Sequence, residues 1–109
     1  QWVNMHRPSA VFVSDEHVYV GELGPEMTVN QAVTDIGPRI SIYNTKGERL
    51  ARLGDSTIGF EAGQFYAPHS ICLDSKNNIL LGEVDWTYSG VLGDSRDKLR
   101  GIQKLEKIV

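Results

Sequence analysis

The sequence predicts an all-β fold made of two four-stranded antiparallel meanders, and three observations predict it. A set of short aliphatic segments recurs along the chain in one order. Each segment is rich in β-branched or aliphatic residues, which is the strand signature. The stretches between them are rich in Asp, Asn, Ser and Gly, residues whose side chains bond their own backbone or that tolerate the left-handed conformation of tight turns. Helical periodicity is weak, and a single turn of helix is expected only around Leu92 to Leu99.

The elements follow in order from the repeat, which is the first thing to look for in such a chain. Pro8-Ser9-Ala10-Val11-Phe12-Val13-Ser14-Asp15 returns as Pro68-His69-Ser70-Ile71-Cys72-Leu73-Asp74-Ser75, an offset of 60 residues. Val18-Tyr19-Val20-Gly21-Glu22-Leu23 returns as Ile79-Leu80-Leu81-Gly82-Glu83-Val84 at an offset of 61, the extra residue falling in the Lys76-Asn77-Asn78 turn. Arg39-Ile40-Ser41-Ile42-Tyr43 then aligns with Gly101-Ile102-Gln103-Lys104-Leu105 at an offset of 62. Hairpin turns are expected at Ser14-Asp15-Glu16-His17, Asn44-Thr45-Lys46-Gly47 and Asp74-Ser75-Lys76-Asn77-Asn78. A fourth strand follows at Arg49-Leu50-Ala51-Arg52-Leu53, and Lys107-Ile108-Val109 is the expected start of its counterpart. The chain of 109 residues is thus one unit of two repeats, 6–53 with a long loop at 24–38 and 63–109 with a long loop at 85–99. Loops of this length inside a compact unit are usually binding loops or mobile segments.

Composition excludes several function classes. Apolar runs are four residues or fewer, far from the roughly 18–20 that a membrane helix needs. Eleven basic against fourteen acidic residues give a net charge of -3, and the basic residues are scattered, so there is no electrostatic footprint for nucleic acid. Cys72 is the only cysteine, which excludes an intrachain disulfide and a Cys-rich zinc knuckle but does not fix the redox compartment. No signal peptide is visible, and a soluble chain of unknown compartment is expected.

Repeated four-stranded meanders are the unit of a β-propeller. The run Gly63-Gln64-Phe65-Tyr66-Ala67-Pro68-His69-Ser70-Ile71-Cys72-Leu73-Asp74, followed by Asn78-Ile79-Leu80-Leu81-Gly82-Glu83, resembles the NHL repeat. That family's pattern is a Gly-x-Phe, a proline before an aliphatic strand ending in Asp, a turn, and an aliphatic strand ending in an acidic residue. The first repeat keeps Pro8, the strand pair, Glu22, Arg39 and Gly47 but has no Gly-x-Phe before Pro8. The resemblance implies two blades of a six-bladed propeller. Within the family, the Pro68-His69-Ser70 stretch is similar to a blade of the peptidyl-α-hydroxyglycine α-amidating lyases, which implies His69 as a zinc ligand. The equivalent position in the first repeat is Ser9, so the ligand is not repeated.

In a meander, the start of the first strand, the end of the second and the start of the third share one sheet edge. His69, Glu22, Glu83 and both long loops are therefore expected on one face. The binding face is read as Glu22, Glu83, Asp85 and Trp86, with His69 as the candidate metal ligand. One histidine does not make a zinc site, which needs about three protein ligands. Each has a structural alternative. His69 after a proline can cap a loop, and Glu22 and Glu83 can accept backbone amides or pair with Arg39 and Arg100. Trp2 and Trp86 can pack at a seam. His6 and His17 are weaker ligand candidates, and Cys72 reads as a small residue between blades. No Asp-x-Asp-x-Asp-Gly spacing around Asp74 suggests calcium.

A closed propeller needs about four to eight blades, so two blades expect partners. The abrupt start and end favour a piece of a longer propeller, with a ring of three copies as the rival. The expected function is binding of a peptide, protein or glycan through the loop face. The alternative is a zinc-dependent lyase or hydrolase that acts only when the propeller is assembled.

Overall fold

The structure, a computed structural model, describes residues 1–2, 4–24, 36–97 and 99–108. Its strands are β1 (Pro8–Ser14), β2 (His17–Glu22), β3 (Arg39–Asn44), β4 (Arg49–Leu53), β5 (Pro68–Leu73), β6 (Ile79–Glu83) and β7 (Ile102–Leu105), with one helix, α1 (Asp85–Leu92). The fold is all-β, as the repeat predicts. One sheet has the order β1-β2-β3-β4 and the other β5-β6-β7, each an antiparallel meander. Lys107 and Ile108 carry no strand, and Val109 lies outside the described residues. The Lys107 amide instead donates to the Asn78 side-chain oxygen at 2.8 Å, which ties this end back to the β5–β6 turn.

The turns follow from their chemistry. Asn44 Oδ1 accepts the amides of Lys46 and Glu48, both at 3.0 Å, and Gly47 completes the turn at φ 88°, where a side chain would be strained. Asp74 does the same with the amides of Lys76 at 2.8 Å and Asn78 at 2.9 Å. The Asn78 side chain donates to the Asp74 carboxylate as well, and these bonds, led by that of the Asn78 side chain, hold the Asp74 carboxyl down at about 2. Asp15 and Asn77 take positive φ in their turns, the tolerance that recommended them.

The two sheets pack face to face. Ile40 from the first sheet meets Ile71, Ile79 and Leu81 from the second, with Phe65 between them and Ala10, Phe12, Tyr19, Ile42, Leu53, Leu73 and Leu105 around them. The period-two alternation of each strand sends these residues inward. The first strands of the two repeats meet at the seam, where Ser9 Oγ donates to the Pro68 carbonyl at 2.6 Å. Both repeats also bulge at the same place, between Pro8 and Ala10 and between Pro68 and Ser70.

The outer faces differ. Across the first sheet, Met5 packs on Val18, Val20 and Tyr43, and Trp2 stacks on Tyr43 with ring centroids 5.6 Å apart. Val11 and Val13 on its edge strand β1 remain 66% and 61% exposed. On the second sheet, Cys72 and Ile102 are exposed, the latter at 72%.

A second expectation is corrected. Helix occupies Asp85–Leu92 rather than starting at Leu92. Val84, Tyr88 and Leu92, spaced by four, pack with Leu23, Tyr66 and Ala67, so an inward stripe fixes the helix. Gly93, left-handed at φ 75°, ends it. The 24–38 loop lies largely outside the described residues.

Candidate functional site

The strand pairing brings one set of chain ends together. Pro8 pairs with Glu22 and Glu22 with Arg39, while Pro68 pairs with Glu83. The connection at 54–67 leads from the end of β4 to the start of β5, and α1 leaves from the end of β6. These segments therefore share the sheet edge that carries the predicted residues.

Most of the predicted acids are held by internal contacts. Glu22 is fully buried and accepts from the Arg39 guanidinium at 2.9 Å, from the Ser41 hydroxyl and from the His6 amide at 2.5 Å. Asp85, also buried, accepts the amides of Arg100 at 3.1 Å and Gly101 at 2.8 Å. It thereby shapes the chain between α1 and β7. Glu83 accepts the Tyr66 amide at 2.9 Å through one oxygen, and its other oxygen is buried with no hydrogen-bond partner among the described residues. Burial pushes the Glu83 carboxyl above the ordinary Glu range, with Asp85 adding to the rise; the Tyr66 amide, Arg100 and Gln103 oppose it. Arg100 does not bond to Glu83; its guanidinium donates to the Gln64 carbonyl at 3.2 Å.

His69 sits in the β5 bulge with an exposed side chain. Among the described residues, no three His, Cys, Asp or Glu side chains come together to hold a metal ion. His6 gives its amide to Glu22, and both of its ring nitrogens are buried without a partner among the described residues. His17 is exposed at the opposite sheet edge, where it opens β2 and pairs with Ser14.

Trp86 is different. It lies on the first turn of α1, 63% exposed, with the Arg96 guanidinium 3.9 Å from its ring centroid. Arg96 is fixed in turn, donating to the Trp86 carbonyl at 2.9 Å and to the Ser89 hydroxyl at 3.1 Å. At an exposed site such a stacked cation attracts the ring by about 0.5–1 kcal/mol, which favours this orientation.

Beside α1 the same edge opens into a cleft of about 460 Å³ lined by Ile58, Phe60, Tyr66, Leu92, Asp94 and Asp97. Phe60 and Tyr66 stack with centroids 4.9 Å apart and planes 13° from parallel. The Tyr66 hydroxyl donates to Asp94 at 2.6 Å. One wall is braced by its own hydrogen bonds. Asp55 accepts the Thr57 amide and hydroxyl, each at 2.8 Å, and the Gln64 side chain donates to both Asp55 and Thr57 at 3.2 and 3.0 Å. These bonds, the Thr57 amide first, hold the Asp55 carboxyl below its ordinary value.

Comparison with known proteins gives no match: no family model fits the chain, and neither a curated relative nor a similar solved structure was found. Arg96, Phe60, Tyr66, Asp94 and Asp97 are functional candidates that the sequence did not single out. The spacing of Val84, Tyr88 and Leu92 was the one available signal, since a helix there turns the following loop toward residues 58–66.

Proposed function

We propose that this chain supplies two neighbouring blades of an NHL-type β-propeller and binds a peptide or protein through the loop face at α1. The observation that carries the binding role is Trp86, an exposed aromatic stacked by Arg96 on an edge where Glu22 and Asp85 are committed to internal bonds. Fixed, exposed aromatics and arginines are the residues that anchor interfaces. The blade reading draws support from the β1–β5 seam with its matching bulges, since first strands lie innermost in propellers of this family. Further blades would cover Val11 and Val13 on one side and Ile102 on the other, apolar surface of the kind that marks an interaction site.

Phage-displayed peptide selection on the parent chain, repeated with Trp86→Ala, tests the binding role. Enriched peptides should lose binding to Trp86→Ala and keep it to Val13→Ser. No enrichment, or enrichment indifferent to Trp86, would overturn it. Light scattering at micromolar concentration separates two sources of the missing blades: a mass of three chains supports a ring of copies, and a monomer excludes it.

A further inference from the structure

We infer that the cleft between residues 58–60 and the C-terminal end of α1 takes a basic side chain, Lys or Arg, from a bound peptide. The inference deepens the loop-face reading and rests on it. Three observations lead there. The cleft has the size of ligand clefts, about 460 Å³ within a range of roughly 300–1,000 Å³. Its walls are apolar and aromatic, from Ile58, Phe60 and Leu92, a surface on which the methylene stem of Lys or Arg packs well. Its rim carries the carboxylates of Asp94 and Asp97, both exposed, and among the described residues no Lys or Arg lines it.

Among the described residues, the neighbouring cation leaves the rim acidic. Arg96 lies between the two aspartates in sequence, yet its guanidinium is drawn onto the Trp86 ring, the Trp86 carbonyl and the Ser89 hydroxyl. Each of those bonds removes it from the cleft. Asp94 is itself positioned by the Tyr66 hydroxyl at 2.6 Å, and Tyr66 by its stack on Phe60. The carboxylate is thus set in advance at the mouth of an apolar slot. A long cationic side chain satisfies both parts at once: its stem covers the apolar wall and its head reaches a fixed anion. An acidic ligand would meet two like charges, and a purely apolar one would leave both carboxylates facing its tip.

The test combines the peptide selection with an NMR titration of the parent chain by N-acetyl-arginine methylamide, N-acetyl-lysine methylamide and N-acetyl-norleucine methylamide. Saturable amide shifts confined to residues 58–66 and 92–97 are expected for the first two and not for the third. Asp94→Asn with Asp97→Asn should weaken them about tenfold, the loss of a charge-assisted bond. Asn retains an acceptor for Tyr66, and Asp97→Asn alone changes an exposed residue, so a folding defect is separable by the unchanged spectrum elsewhere. Equal shifts with norleucine, no shifts at all, or full retention in the double variant would overturn the inference. Selected peptides that need Trp86 but carry no Lys or Arg would overturn it alone and leave the loop-face reading standing. Peptides indifferent to Trp86 would overturn that reading first.

Discussion

Glu22 and Glu83 hold the same place in the two repeats, each following a glycine at the end of a second strand, yet their surroundings differ. Glu22 is enclosed by Arg39, Ser41 and the His6 amide and has no exposed surface. Glu83 has one amide partner, one oxygen without a partner among the described residues, and a raised carboxyl pKa. The difference comes from outside the repeat. The N-terminal stretch brings His6 to Glu22 and lays Met5 and Trp2 over the first sheet, whereas no described segment covers the corresponding face of Ile102 and Cys72. A repeated sequence therefore sets where a carboxylate stands, and the segment that crosses it sets how completely its charge is answered.

The sharpest way to break this contrast is Glu22→Ala. It leaves Arg39, with only 18% of its side chain exposed, without its counter-ion, and a loss of about 3–5 kcal/mol is expected by urea unfolding. If Glu83→Ala costs as much, the two positions are equivalent and the contrast fails. Removing residues 1–6 should cost at least about 2 kcal/mol, the scale of a hydrogen bond to a charged group, because the apolar packing of Met5 and Trp2 is lost with it. A cost near zero would show that the crossing segment does not support Glu22.

Glu83→Gln sharpens the other side. Because burial raises the Glu83 carboxyl above its ordinary 4.5, the neutral form is favoured in the fold. Its stabilising contribution is complete below that ordinary value and is lost as pH rises through the raised one. Glu83→Gln, always neutral, should change stability by less than about 1 kcal/mol at pH 7. Relative to the parent it should gain between pH 4 and pH 7. A difference independent of pH would remove the raised carboxyl from the account.

The smallest effect belongs to Asp74, which the second repeat has where the first has Ser14. Its carboxyl lies at about 2 against an ordinary 3.8, so its contribution is present above the ordinary value and is lost as pH falls through the lower one. The parent should lose stability across that acid window, and Asp74→Asn should not lose this part. Acid unfolding curves of the two, read between pH 4 and pH 2, check it.

Much of the fold was legible because strands and turns are local. Val18, Val20, Ile40, Ile42, Ile71 and Leu81 sit in short alternating runs, and Asp74 and Asn44 mark their turns by bonding their own backbone. Helix α1 was not legible in its place. It begins at Val84 with no capping side chain, and its inward stripe is a single column of Val84, Tyr88 and Leu92 within a polar stretch. The acids of the site were legible in position but not in employment, since burial decides whether a carboxylate is free. The cleft was invisible because Phe60, Tyr66, Asp94 and Asp97 meet only after two separate connections pack together.

The seam at Ser9 and Pro68 has a kinetic meaning as well. The β1–β2, β3–β4 and β5–β6 hairpins close over the few residues of an Asp or Asn turn, but the Ser9 to Pro68 bond joins residues 59 apart. Loop-closure entropy makes the nearer pairings the faster ones. The meanders should gain their ladders first and dock on one another last, so a weakened seam would delay assembly of the loop edge while leaving the individual hairpins intact.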